Sequence, residues 1–332
     1  MEFHLLIITV IIVAIFFDFT NGWNDSANAI ATVVSTRVLS PLQAVMMAGT
    51  LDFIGAYFST RVAMTVGKGI VDPATVTQYV VLFAMIAATM WVALATLKGL
   101  PISASHSLIG GLIGAAVGQA GLSVIKWNGL TTVLLALLIS PMLGMAVGFV
   151  MMTVLKRLIA NCSYSKINRV FGKLQIFSSG LVSLSHGTND AQKVMGIITL
   201  ALFSGGYITE MQVPFWVKVI CATAIALGTA FGGWKVIKTI GTGLMDLRPV
   251  HGSVAETSAA AVLFSSAALG VPVSTTHVIT STIVGVGAAK RRGGVRWIVG
   301  KKILYAWILT LPFCFLVGFG LTKAFQLIMT NP

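Results

Sequence analysis

Charge is what this sequence has least of. Only 9% of its 332 residues are charged, while 56% are apolar. A soluble domain carries about a quarter charged residues. Acids are the scarcest class, with nine Asp and Glu in the whole chain. Long apolar runs recur from end to end, and no stretch is long and polar enough to form a separate globular domain. A soluble fold and a soluble domain on a single anchor are both excluded, and the composition is that of an all-α polytopic membrane protein. Residues 1–18 lack a basic leader and run into a polar motif, so no cleaved signal peptide is read there. Cysteine is sparse too. Cys162, Cys221 and Cys314 are far apart, odd in number and without metal-like spacing, so neither a disulfide framework nor a metal cluster is expected.

Basic residues outnumber acids enough to give a formal charge of +13. Their placement argues against nucleic acid as a partner. They cluster between apolar runs: Lys156, Arg157, Lys166, Arg169 and Lys173; then Lys235, Lys238 and Arg248; then Lys290, Arg291, Arg292, Arg296, Lys301 and Lys302. That is the pattern of cytoplasmic loops facing anionic lipid.

The chain is written twice. Asn24-Asp25 in "NGWNDSANA" returns as Asn189-Asp190 in "HGTNDAQKV", with Gly22 matched by Gly187 and Asn21 by His186. "GLPISASHSLIGGLIG" from Gly99 returns as "GVPVSTTHVITSTIVG" from Gly270, matching Ser103 with Ser274 and His106 with His277. Two motifs recurring in the same order define an internal repeat. The expected division is a first half over 1–155, a basic linker over 156–173 and a second half over 174–332. Loop charge sets the orientation: with the three basic clusters inside, the first half starts its hairpin from the outside and the second from the inside. The expected architecture is therefore two inverted-topology repeats, with about ten to twelve membrane segments including two broken or re-entrant hairpins. Inverted repeats with polar sites at their interface are a signature of secondary transporters.

Acids at membrane depth are costly and mark function or pairing. Glu2, Asp72, Glu210 and Asp246 fall at termini or loops, where solvation explains them. Asp18, Asp25, Asp52, Asp190 and Glu256 fall in or beside apolar runs. Asp25 and Asp190 stand out because their motif is duplicated. Asp18, at the motif's edge, reads as interfacial. Asp52 and Glu256 have no acidic counterpart in the other half; they read as cation or proton sites, or as packing acids with hydroxyl partners. In each hairpin a Gly-Pro spacing breaks a helix and a Ser starts the next. Free amides and hydroxyls at a helix start suit an oxyanion, and Asn-Asp pairs suit a cation. A site holding both fits symport, in which the cation must bind for the anion to bind. "NGWNDSANA" then reads as half of such a site at a helix break. His106 and His277 read as fixing the hairpins, and His186 need not carry a proton because its counterpart is Asn21.

These residues resemble the inorganic phosphate transporter (PiT) family. Its signature, of the form Gly-(Ala)-Asn-Asp-x-Ala-Asn once per half, is matched at 22–29 and 187–194. Its P-x-S-x-x-H tips are matched at 101–106 and 272–277. The resemblance implies an electrochemically driven symporter of inorganic phosphate in the cell membrane, with twofold inverted architecture and a homodimeric state. It implies that Asn24, Asp25, Asn28, Asn189 and Asp190 line the site, with hydroxyls from Ser103, Ser105, Ser274, Thr275 and Thr276. Asn21, Asp52 and Glu256 join Asp25 and Asp190 as candidate coupling-ion residues, and Na+ at Asp25 and Asp190 is one option. The coupling ion, Na+ or H+, stays open, and no cofactor is expected. One departure bears on it: Gln192-Lys193 stands where the first half has Ala27-Asn28. Proton-coupled bacterial members look similar here, while many sodium-coupled ones keep Asn. Lys193 either puts an ammonium at the site, on phosphate or in place of a cation, or snorkels to an interface. The short linker suggests a transport core without a regulatory insert.

Three other functions compete. A sulfate symporter of the same architecture would use the same hydroxyls, but sulfate has no proton to give to Asp25 or Asp190. An intramembrane enzyme needs a differentiated acid, base and nucleophile, whereas each element here is duplicated. A channel is disfavoured by the inverted repeat with mid-membrane breaks.

Overall fold

The computed structural model describes residues 2–290 and 293–330. Arg291 and Arg292 of the third basic cluster, and the last two residues of the second half, lie outside them. Among the described residues the regular structure is helical, apart from one isolated bridge between Val71 and Ile125.

The first half opens with α1 (Glu2–Ser35), followed by α2 (Pro41–Gly55) and α3 (Arg61–Gly69). Then come α4 (Gln78–Leu97), α5 (Ala104–Ala120) and the long α6 (Trp127–Leu158). A similar series follows over the rest of the chain. A broken first helix, α7 (Tyr164–His186) and α8 (Gln192–Ser204), corresponds to α1. A bent pair, α9 (Phe215–Phe231) and α10 (Trp234–Lys238), corresponds to α2 and α3. The arms α11 (Pro249–Ala268) and α12 (Thr275–Lys290) correspond to α4 and α5, and α13 (Trp297–Thr330) to α6.

Local chemistry sets the boundaries. Ser40 caps α2 with Pro41 at its first position and Gln43 closing a capping box. Each hairpin breaks in the same way. Gly99 after α4 and Gly270 after α11 have φ of 70° and 71°, a left-handed conformation that ends a helix and that glycine adopts without strain. Ser103 then accepts the His106 amide at 3.1 Å, and Ser274 accepts the His277 amide at 3.2 Å, which starts α5 and α12.

Five helices are individually long and apolar enough to cross a membrane, and α9 with the segment through Gly243, bent by 61°, makes a sixth. The remaining segments are shorter or too polar to qualify alone, because they carry the breaks and the buried polar residues. The expected break at the first motif is not found. Residues 21–29 lie inside the unbroken α1. Only the twin motif departs from α-helix, with Gly187–Ala191 forming a π-helical turn between α7 and α8. Nothing in "NGWNDSANA" forbids helix: it has no proline, and Asn24, Asp25, Ser26 and Asn28 find partners on other elements.

The halves pack crosswise. α1 lies against α9 and α2 against α7; α5 lies against α13 and α12 against α6. A methyl on Gly22 would run into the Ile225 carbonyl, and one on its counterpart Gly187 into the Asp52 carbonyl. Helix backbones touch there, which only small residues permit. α1 and α7 run antiparallel. Asp25 meets His186, Ala29 meets Ser179 and Thr36 meets Gln175 as one chain ascends and the other descends.

Two apolar cores result. α1 contributes residues up to Phe17 to one core and residues from Ala27 onward to the other. α7 packs Val182 into the second, and Ala191 joins the first. The polar stretches 18–26 and 183–190 form the seam between them.

Candidate functional site

At that seam the two motif aspartates come together through the second hairpin. Thr275 Oγ1 lies 2.9 Å from Asp25 Oδ2 and 2.7 Å from Asp190 Oδ2. Thr276 Oγ1 donates to Asp25 Oδ1 at 2.8 Å and accepts from Asn28 Nδ2 at 3.0 Å. A threonine hydroxyl has one proton to donate. It cannot serve two carboxylates at once, so one of the two contacts lacks a threonine proton at any moment.

Lys193 does not snorkel. It is 3% exposed, and its ammonium bonds Asp190 Oδ1, Ser105 Oγ at 2.6 Å and the Val273 carbonyl at 2.8 Å. Three oxygens, from the π-helical turn, the first hairpin and the second hairpin, thus surround one positive charge. Ser105 in turn donates to the Val273 carbonyl at 3.0 Å, which ties the two hairpin tips together.

His186, discounted from the sequence, is central. Its Nδ1 lies 3.0 Å from Asp52 Oδ1; its Nε2 lies 3.2 Å from Asp190 and 3.8 Å from Asp25, without a well-aimed hydrogen bond to either. Asp25, His186 and Asp190 each offer one ligand atom within 4.8 Å of one another, a set that could hold a metal ion. The spacing His186-x-x-x-Asp190, one helical turn, was the available signal. Asp52 also accepts from Thr229 Oγ1 at 2.5 Å, so it holds His186 and α9 instead of facing the hairpin tips.

The other expected residues divide by role. Asn24 Nδ2 donates to Thr96 Oγ1 at 2.8 Å, at the end of α4, and Asn189 Nδ2 to the Leu263 carbonyl at 3.2 Å in α11. Both steady a hairpin's first arm, and the carbonyl oxygens of Asn24, Asn28 and Asn189 are left buried without a donor. Asn21 lies on the same face of α1, its carbonyl oxygen also without a donor. Ser103 and Ser274 are spent on capping, and Ser103 also contacts His106 Nδ1 at 2.7 Å. Glu256 lies apart. It accepts from Thr32, Ser178 and Gln175, and Thr32 is about 10 Å along α1 from Asp25 at 1.5 Å per residue. Asp18 is not interfacial: it is fully buried.

Fold and site together define a multi-pass membrane transporter, with a buried polar cluster where α1 and α7 cross. The chain matches the sequence profile of the phosphate transporter family over residues 21–318, and it belongs to that family. It is 44% identical over 319 residues to a "Probable low-affinity inorganic phosphate transporter" of Bacillus subtilis (strain 168), covering 95% of this chain and 96% of that one. It is 46% identical over 315 residues to a protein of the same description from Rhizobium meliloti (strain 1021), covering 94% of each. A solved structure described as "The sodium-dependent phosphate transporter" superposes with a TM-score of 0.88 at 27% identity, covering 97% of this chain and 99% of that one. The chain is thus an integral protein of the cell membrane, and a transporter instead of an enzyme.

Proposed function

We propose that this chain is a symporter of inorganic phosphate that works by alternating access and is coupled to protons. Charge balance is the observation that carries it. Asp25, Asp190 and, behind His186, Asp52 lie in one cluster whose permanent cation, among the described residues, is Lys193. Phosphate adds one to two more negative charges near neutral pH. In a buried site that repulsion must be relieved by protons or cations entering with the anion. The hairpin hydroxyls and the ammonium are donors suited to phosphate oxygens. Phosphate can bring protons of its own, and sulfate cannot.

The place of Lys193 supports the proton as coupling ion. An ammonium already sits among Asp190, Ser105 and the Val273 carbonyl, where a coordinated cation would bind. A second reading, sodium coupling, rests on the cluster of Asp25, His186 and Asp190. The antiparallel crossing of α1 and α7 supports inverted halves at 1–155 and 174–332 with 156–173 as a cytoplasmic linker. A homodimer is carried over from the family resemblance alone.

Radiolabelled phosphate uptake into proteoliposomes tests the reading, with a proton gradient or a sodium gradient as the sole driving force. Accumulation under the proton gradient, unaffected by excess sulfate, is expected. Accumulation under sodium alone would replace the coupling ion, and strong competition by sulfate would replace the substrate.

A further inference from the structure

We propose that Asp18 is a proton-binding site of the transport cycle, separate from the Asp25–Asp190 pair. The proposal rests on the proton-coupled reading above. Five acids are buried among the described residues: Asp18, Asp25, Asp52, Asp190 and Glu256. Four of them accept hydrogen bonds from named donors. Asp25 has the two threonines of α12, Asp52 has His186 and Thr229, Asp190 has Lys193 and Thr275, and Glu256 has Thr32, Ser178 and Gln175. Asp18 is 0% exposed, and neither of its oxygens meets a donor in hydrogen-bond geometry, the Cys221 thiol being the one donor group beside it.

An ionised carboxylate in that position would be a bare anion in a low-dielectric interior, at a cost of several kcal/mol. Asp18 must therefore carry a bound positive species. The surroundings select the smallest one. The titratable groups near enough to act on the charge of Asp18 are Cys221 of α9, Asp52 of α2, and His186 and Asp190 of the broken helix. Asp25 lies two turns away on its own helix. The Cys221 thiol is a weak donor and does not satisfy either oxygen. One turn along α1 the carbonyl of Asn21 is equally without a donor. Beside it the backbones of α1 and α9 touch: a methyl on Gly228 would run into the Phe19 carbonyl. Helix backbones in contact there favour a small species over a hard metal cation, which gathers roughly six oxygens. A proton needs one oxygen.

Symmetry separates this acid from the substrate site. Asp25 and Asp190 match across the repeat, but the position matching Asp18 is Ser183, whose hydroxyl is bonded to the Ser179 carbonyl. Asp18 therefore adds a titratable group on one side of the seam only. Its polar continuation along α1, through Asn21 to Asp25, ends at the hairpin threonines.

Two measurements test the proposal. The first counts protons moved per phosphate, with a pH dye trapped in proteoliposomes. Asp18→Asn is expected to move one proton fewer per phosphate than wild type, and Asp18→Glu to restore the count. An unchanged count in Asp18→Asn overturns the proposal. So does phosphate uptake by the wild type with no proton movement, an outcome that leaves phosphate transport standing. The second is infrared spectroscopy of the purified protein across a pH step, which does not depend on transport. The carboxylic acid C=O band of a buried protonated side chain is expected in wild type and lost in Asp18→Asn. Superimposable spectra overturn the proposal even if no substrate is ever transported. Should Asp18→Asn fail to fold, Asp18→Glu carries the spectral test: a displaced band supports the assignment, and an unmoved one overturns it.

Discussion

Lys193 reaches back one helical turn to Asp190, and the pair is closed to water on every side. Removing one partner of a buried pair leaves the other charge uncompensated, at about 3–5 kcal/mol. Lys193→Asn should therefore melt at a lower temperature than wild type in detergent. Sodium should restore much of the loss and potassium should not, because the Asp190, Ser105 and Val273 oxygens are then free to take an ion. A melting temperature of Lys193→Asn that is indifferent to sodium would count against the ammonium as a tethered cation.

Asp25 and Asp190 share the Thr275 hydroxyl, so each is needed to seat the second hairpin on the site. Asp25→Ala and Asp190→Ala are each expected to reduce phosphate uptake by 100-fold or more on the order of a lost charged site contact. Both should still elute as folded protein by size-exclusion chromatography. Normal uptake in both variants would remove the pair from the site.

The hairpin hydroxyls separate into two functions that kinetics can tell apart. Ser103→Ala and Ser274→Ala remove helix caps, and about 1 kcal/mol of stability each is expected, with little change in KM. Ser105→Ala and Thr275→Ala instead remove partners of Lys193 and of the aspartates. They should change KM or the maximal rate of uptake while leaving the melting temperature closer to wild type. The reverse pattern would mean that the capping serines face substrate.

Gly187 lies at the π-helical turn with no room for a side chain, since a methyl there meets the Asp52 carbonyl. Gly187→Ala should destabilise the protein by about 1–3 kcal/mol, as overpacking does. It should also displace Asp52 from His186, which adds a loss of uptake. Gly320, whose added methyl meets nothing, is the control.

Much of this was legible in the sequence because duplication singles residues out. The second copies of Asn-Asp and of P-x-S-x-x-H made Asp25, Asp190 and the hairpin tips visible without any partner in view. The same habit hid His186. Its counterpart is an asparagine, so symmetry argued against it, whereas its weight comes from Asp52 on α2, 134 positions earlier. Burial of Asp18 was hidden for a similar reason, since helices distant in the sequence, α9 among them, enclose it. The continuity of α1 through the first motif could not be read either. Helix and helix break share the same small polar residues, and packing against α9 and the hairpins decides between them.

A positive charge fixed by a covalent side chain travels with the protein and returns with it. A dissociable ion in the same place would be left behind on the far side in each cycle, and the membrane potential would then perform about 2.3 kcal/mol of work on it per 100 mV. With Lys193 in that place the work is forgone. The steepest phosphate gradient the chain can sustain is then lower by roughly 50-fold at 100 mV than with one more mobile cation. In exchange, one partner of the anion is always in position, and transport needs one fewer ion to arrive.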